Sequence, residues 1–72
     1  MKGEPVPSPL PGSIVSVKVE PGQAVTEGQA LIIIESMKME NEILAHRDGT
    51  VVQVLVTKGA VVETGAPLLL LA

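Results

Sequence analysis

The stretch "IIIESMKMENEI", residues 32–43, decides how the chain is read. Strand-like runs lie on both sides of its middle, over 29–36 and 39–46, and only Met37 and Lys38 remain to make the turn between them. Two-residue hairpin turns normally carry Asn-Gly, Asp-Gly or Gly-Gly, because their backbone needs positive φ. Methionine and lysine resist that geometry. A broken local rule of this kind often marks a place where function holds the sequence.

Working outward, the chain repeats itself. Shifted by 37 residues, "GSIVSVKVEPGQAVTEGQALIII" (12–34) falls without a gap on "GTVVQVLVTKGAVVETGAPLLLL" (49–71). Gly12, Val15, Val17, Val19, Gly22, Val25, Gly28 and Leu31 match Gly49, Val52, Val54, Val56, Gly59, Val62, Gly65 and Leu68. The valines recur at every second position, which is the period of a strand. They predict an inward face of Val15, Val17 and Val19 in one copy and Val52, Val54 and Val56 in the other. Ser16, Lys18, Glu20, Gln53, Leu55 and Thr57 then face outward. The matched glycines Gly22, Gly28, Gly59 and Gly65 punctuate the strands as turn residues.

The expected strands are 13–20, 24–26 and 29–36, then 50–57, 61–63 and 67–72, with 39–46 leading into the second copy and "EPVPS" as a short edge strand that tolerates proline. No segment has helical periodicity. Two similar halves, neither able to close a core alone, predict an all-β flattened eight-stranded barrel or sandwich with pseudo-twofold symmetry. The whole of 1–72 is expected to form one domain. The first copy leads into the lysine turn, whereas the second stops at Ala72, so a symmetric fold with a single site is expected.

Composition narrows the function. Val, Ile and Leu number 24 of 72 residues, so the core is aliphatic and β-prone. Cysteine, Phe, Tyr and Trp are all absent, which removes disulfides, thiolate metal sites and any stacking platform for bases. A net charge of −3 without a basic patch argues against nucleic acid. The longest apolar runs, 30–34 and 66–72, are far short of the ~20 residues a membrane helix needs. The N-terminal stretch lacks the apolar core of a secretory signal, and a cytoplasmic location is expected.

Several readings of Lys38 compete. The plainest is a solvated charge on a structural module. Catalysis by the amine would require a depressed pKa, and the neighbours Glu35, Glu40 and Glu42 favour the charged form instead. His46, the sole histidine, sits beside Arg47 and Asp48 with no nucleophile at a readable spacing. Glu40 and Glu42 share a strand face, but two carboxylates make a thin metal site. The remaining reading is that the domain presents its amine to another protein.

At this point the motif "ESMKME" (35–40) resembles the biotin-attachment motif Glu-Ala-Met-Lys-Met of the biotinyl domains of biotin carboxyl carrier proteins. The resemblance extends through "SPLPG" (8–12), similar to their Ala-Pro-Met-Pro-Gly, and through both half-repeats. Ser36, Ser8 and Leu10 depart from the family pattern. The gap-free alignment of the halves leaves no room for the inserted thumb of some members. The resemblance implies a flattened eight-stranded barrel of two sheets. It implies covalent biotin on Lys38, with Met37 and Met39 as flanks read by partners and Glu35, Ser36 and Glu40 completing the motif. A biotin protein ligase would acylate the amine. Carboxybiotin would then shuttle between biotin carboxylase and carboxyltransferase sites, in the cytoplasm or, in a eukaryote, in the mitochondrial matrix or plastid. The domain itself would be a non-catalytic carrier. Lipoyl domains share the architecture but typically place Asp before the lysine, so Met37 and Met39 favour biotin.

Overall fold

The computed structural model describes residues 3–72. Among the described residues, alternating aliphatics and regularly spaced turns produce eight strands and no helix: β1 (Glu4–Pro7), β2 (Gly12–Val17), β3 (Ala24–Val25), β4 (Ala30–Ser36), β5 (Met39–Leu44), β6 (Gly49–Val54), β7 (Val61–Val62) and β8 (Pro67–Leu71). They form two four-stranded antiparallel sheets, ordered β1-β8-β6-β3 and β5-β4-β2-β7. The expected barrel is therefore an open sandwich: the two sheets face one another and no ladder closes them. Proline at positions 5 and 7 sits on the edge strand β1, where a missing N–H is harmless.

Each half lends its short strand to the other half's sheet. β3 pairs with β6, and β7 pairs with β2. Backbone bonds repeat at the same 37-residue offset. Gly22 N donates to Val51 O at 2.7 Å, and Gly59 N to Ile14 O at 2.8 Å. Gly28 N donates to Ala45 O at 2.8 Å, and Gly65 N to Ser8 O at 2.7 Å. The last pair extends the repeat beyond what identities alone reveal. β1 stands beside β8 as β5 stands beside β4, so 3–35 is the counterpart of 40–72. Residues 36–39, Ser-Met-Lys-Met, are the joint between the two copies.

The expected inward face needs one correction. Ile14 and Val51 are buried in the core, whereas Val15 and Val52 are only partly buried and lie outside it. The cause is a β-bulge. The register slips between Ile14 and Ser16 on β2, and between Val51 and Gln53 on β6. One extra residue per strand reverses the alternation, so Ile14 faces in before the bulge and Val17 and Val19 face in after it. Matching slips between Ala30 and Ile32, and between Val6 and Pro7 opposite Leu68, complete the twofold set. The strands expected to reach 20 and 57 leave their ladders at Val17 and Val54, although Lys18 N still donates to Leu31 O at 2.8 Å.

The core is a continuous aliphatic layer centred on Leu31, Ile32, Ile34, Leu68, Leu69 and Leu71, all fully buried. Burying each such side chain is worth about 1.5–3 kcal/mol. Ser8 is the one buried polar residue among those described, and its hydroxyl donates to Leu10 O at 2.6 Å. That bond explains why serine is accepted where the family pattern has alanine.

Candidate functional site

The site is the β4–β5 hairpin. Its rungs run from Ala30 opposite Leu44 to Ser36 opposite Met39, leaving a two-residue loop. Met37 (φ 54°) and Lys38 (φ 67°) both adopt left-handed backbone, and they are the only described non-glycine residues to do so. Two consecutive positive φ values make a type I′ turn, whose twist matches the flanking strands. The left-handed region costs a side-chain-bearing residue about 1–2 kcal/mol. The strain expected from the sequence is present.

Three features hold the turn in place. The first is the long ladder, anchored by the fully buried Ile32 and Ile34 of β4. The second is Gly12, at the start of β2. A Cβ there would fall 2.3 Å from Glu35 O and 2.8 Å from Ile34 Cγ2. Only glycine lets β2 approach the hairpin base this closely. Gly49 plays the same part against Ala72 O, 2.6 Å from a hypothetical Cβ. The third is Asn41, whose side-chain amide donates to Met39 O at 3.1 Å and reaches Ile34 O at 3.5 Å. Sequence reasoning missed Asn41. The available signal was an amide residue on the inward face of β5, just past the turn.

The tip is open. Met37 is 93% exposed and Met39 68% exposed. Lys38 is exposed as well, and among the described residues no carboxylate lies within ion-pair distance of its amine. Glu35 and Glu40 face each other one rung below the Ser36–Met39 pair that closes the tip. Like charges in that arrangement repel. On the same rung stand Ser13 and Val61, the latter 77% exposed. Ser36 is half-buried at the shoulder of the turn, and Glu42 lies opposite the buried Ile33. All six motif residues, Glu35 to Glu40, thus gather at one end of the sandwich.

His46 is elsewhere. β5 runs away from the tip, and its six residues put His46, just beyond its end, roughly 20 Å from the tip. There its Nε2 lies 3.3 Å from Glu4 Oε1. Arg47 Nε donates to the same oxygen at 3.2 Å, and the guanidinium also donates to Leu71 O at 3.1 Å. The Arg47 hydrogen bond, together with the charges of His46 and Arg47, holds the Glu4 carboxyl below the usual carboxylate range. This cluster braces β1 to the end of β8. No group of three or more metal-ligating side chains occurs among the described residues, so Glu40 and Glu42 have no third partner.

An exposed primary amine on a strained, well-anchored turn fits a group attached through an amide bond. Comparison with known proteins agrees. The family model described as "Biotin-requiring enzyme" matches residues 4–71. The biotin carboxyl carrier protein of Streptococcus mutans is 46% identical over 67 residues, covering 93% of this chain and 52% of its own length. A solved single-chain, multi-domain long-chain acyl-CoA carboxylase superposes with TM-score 0.90 at 38% identity, over 96% of this chain and 7% of that one. The lipoyl domain of the 2-oxoglutarate dehydrogenase complex from Azotobacter vinelandii superposes with TM-score 0.75 at 29% identity, over 86% of this chain and 78% of that one. The chain thus spans about half the length of the Streptococcus relative and a small part of the carboxylase.

Proposed function

The chain belongs to the biotin-requiring enzyme family, and from that premise we propose that Lys38 carries covalently attached biotin as the mobile arm of a biotin-dependent carboxylase or decarboxylase. The observation that carries this reading is the exposed amine of Lys38 on a left-handed turn between two exposed methionines. Residues 1–72 act as one biotinyl domain, a carrier rather than a catalyst.

The attached biotin supplies a ring nitrogen that takes up and gives back a carboxyl group. The chain's own residues supply position. Lys38 provides the amide anchor. The rigid hairpin fixes where the arm begins, and its four-carbon stem provides reach. Tethering raises the effective concentration of the cargo at each partner site without a new contact.

The partners are a biotin protein ligase, a biotin carboxylase and a carboxyltransferase. Met37 and Met39 offer apolar, adaptable side chains to these partners. Glu35 and Glu40 offer a paired negative patch, which steers association when the facing surface is basic. These partners place the domain in the cytoplasm, or in the matrix or plastid of a eukaryote. The −3 charge and the lack of aromatics argue against a nucleic-acid partner, and no described helix is long and apolar enough to cross a membrane.

Parallel incubations of the purified domain with a biotin protein ligase and with a lipoate ligase, each with ATP and its acid, test the assignment. Biotin should attach rapidly to the wild-type chain and not at all to Lys38→Arg. Preferential lipoylation would transfer the domain to the lipoyl branch of the family. Modification by neither ligase would leave a structural module.

A further inference from the structure

We propose that Met37 and Met39 form a peroxide-sensitive modification site, whose conversion to methionine sulfoxide blocks acylation of Lys38. The inference rests on the reading that a ligase acts at Lys38.

The chain has no Cys, Tyr or Trp. Its readily oxidised sulfur is confined to three methionines, Met1, Met37 and Met39. Methionine is normally used to fill cores, yet the two described here are 93% and 68% exposed. Neither can withdraw. Met37 is held at φ 54° in a two-residue turn, and Met39 is pinned opposite Ser36 on the last rung. The core beneath is already closed by Ile32 and Ile34, both fully buried. No aromatic ring is available to shelter either thioether.

The chemistry balances with a peroxide as the co-reactant. A thioether sulfur lone pair attacks one peroxide oxygen, the O–O bond breaks, and the second oxygen leaves as water after proton transfer. Sulfur is oxidised by two electrons and the peroxide is reduced by two. The product is polar and chiral, and methionine sulfoxide reductases reverse it. At a surface read through apolar side chains, a partner would have to desolvate the new S=O dipole without a matching donor. The fold is untouched, because neither sulfur lies in the core.

The test uses the apo domain, so that the thioether of biotin is not itself oxidised. The protein is treated with hydrogen peroxide and then catalase, peptide-mapped, and presented to a biotin protein ligase. One added oxygen is expected on each of Met37 and Met39, with an unchanged melting curve. The ligase kcat/KM should fall at least about tenfold, the equivalent of one lost apolar contact. A mixture of the two stereospecific sulfoxide reductases should restore it. Unchanged kcat/KM after full oxidation at 37 and 39 would overturn the inference, as would a loss that the reductases fail to reverse. If untreated protein accepts no biotin either, the carrier reading fails and the sulfoxide proposal falls with it. Rapid labelling of the untreated domain therefore separates the two failures.

Discussion

Replacing Met37 by Asn and Lys38 by Gly tests whether the turn is stabilised less than its backbone allows. Both native residues have positive φ, at 54° and 67°. Each carries a left-handed penalty of about 1–2 kcal/mol. Asparagine tolerates this region better, so Met37→Asn should recover about 1 kcal/mol. Glycine removes the steric penalty at 38 but returns about 0.5–1 kcal/mol in unfolded-chain entropy. The net gain there is about 0.5 kcal/mol, and the double variant gains about 1.5 kcal/mol. For a domain of this size each kcal/mol moves Tm by about 4–8 °C, so the midpoint should rise by about 6–12 °C. Differential scanning calorimetry measures this directly, and urea unfolding should show an unchanged m-value. A Tm that stays the same or falls would refute the claim that the turn stores strain. The same variant has no amine at 38, so the stability gain and the loss of the attachment point come together.

Three further outcomes are expected. Gly12→Ala places a Cβ 2.3 Å from the Glu35 carbonyl, so it should destabilise by about 3 kcal/mol, the upper part of the overpacking range. Gly22→Ala meets nothing within 4 Å and carries only its φ of 90°, so the loss should be about 1–2 kcal/mol; equal losses in urea titrations would contradict the close-approach account. Glu40→Lys turns a repulsive pair into an attractive one across the rung to Glu35. It should raise stability by about 0.5 kcal/mol while slowing biotinylation, measured by calorimetry and by ligase kinetics. The Glu4 carboxyl has a lowered pKa in the folded state, chiefly through its Arg47 hydrogen bond. A depressed carboxylate stabilises the fold above its unfolded-state value and loses that contribution as pH falls through its lower folded value. The stability difference between wild type and Glu4→Gln should therefore be present at neutral pH and vanish in acid; a difference that grew on acidification would have the wrong sign.

The hairpin, the repeat and the exposed lysine at the tip were legible in the sequence. Two residues between β4 and β5 left no other turn, and the 37-residue offset marked out both halves. The sequence did not carry the bulges. A strict alternation of valines pointed to Val15 and Val52, whereas the extra residue on β2 and β6 delivers Ile14 and Val51 to the core. A register slip is settled by the facing strand, which is remote in sequence. Nor did identities reveal that β1 is the counterpart of β5, since "EPVPS" and "NEILA" share buried third and fifth positions and no residues. Gly12 was readable only as a repeat identity; its φ lies outside the left-handed region and its constraint is the Glu35 carbonyl. Asn41 acts through a side-chain hydrogen bond to backbone two residues away, which has no periodic signature.

The central claim is that the amine at position 38 is the acylated group. The most direct measurement is the intact mass of the protein co-expressed with a biotin protein ligase, followed by fragmentation of the peptide spanning 35–40. A mass increase of one biotinoyl group in place of one hydrogen is expected, located on Lys38 and absent from Lys38→Arg. An unmodified mass in the presence of active ligase, or biotin found on Lys18 or Lys58 instead, would contradict it.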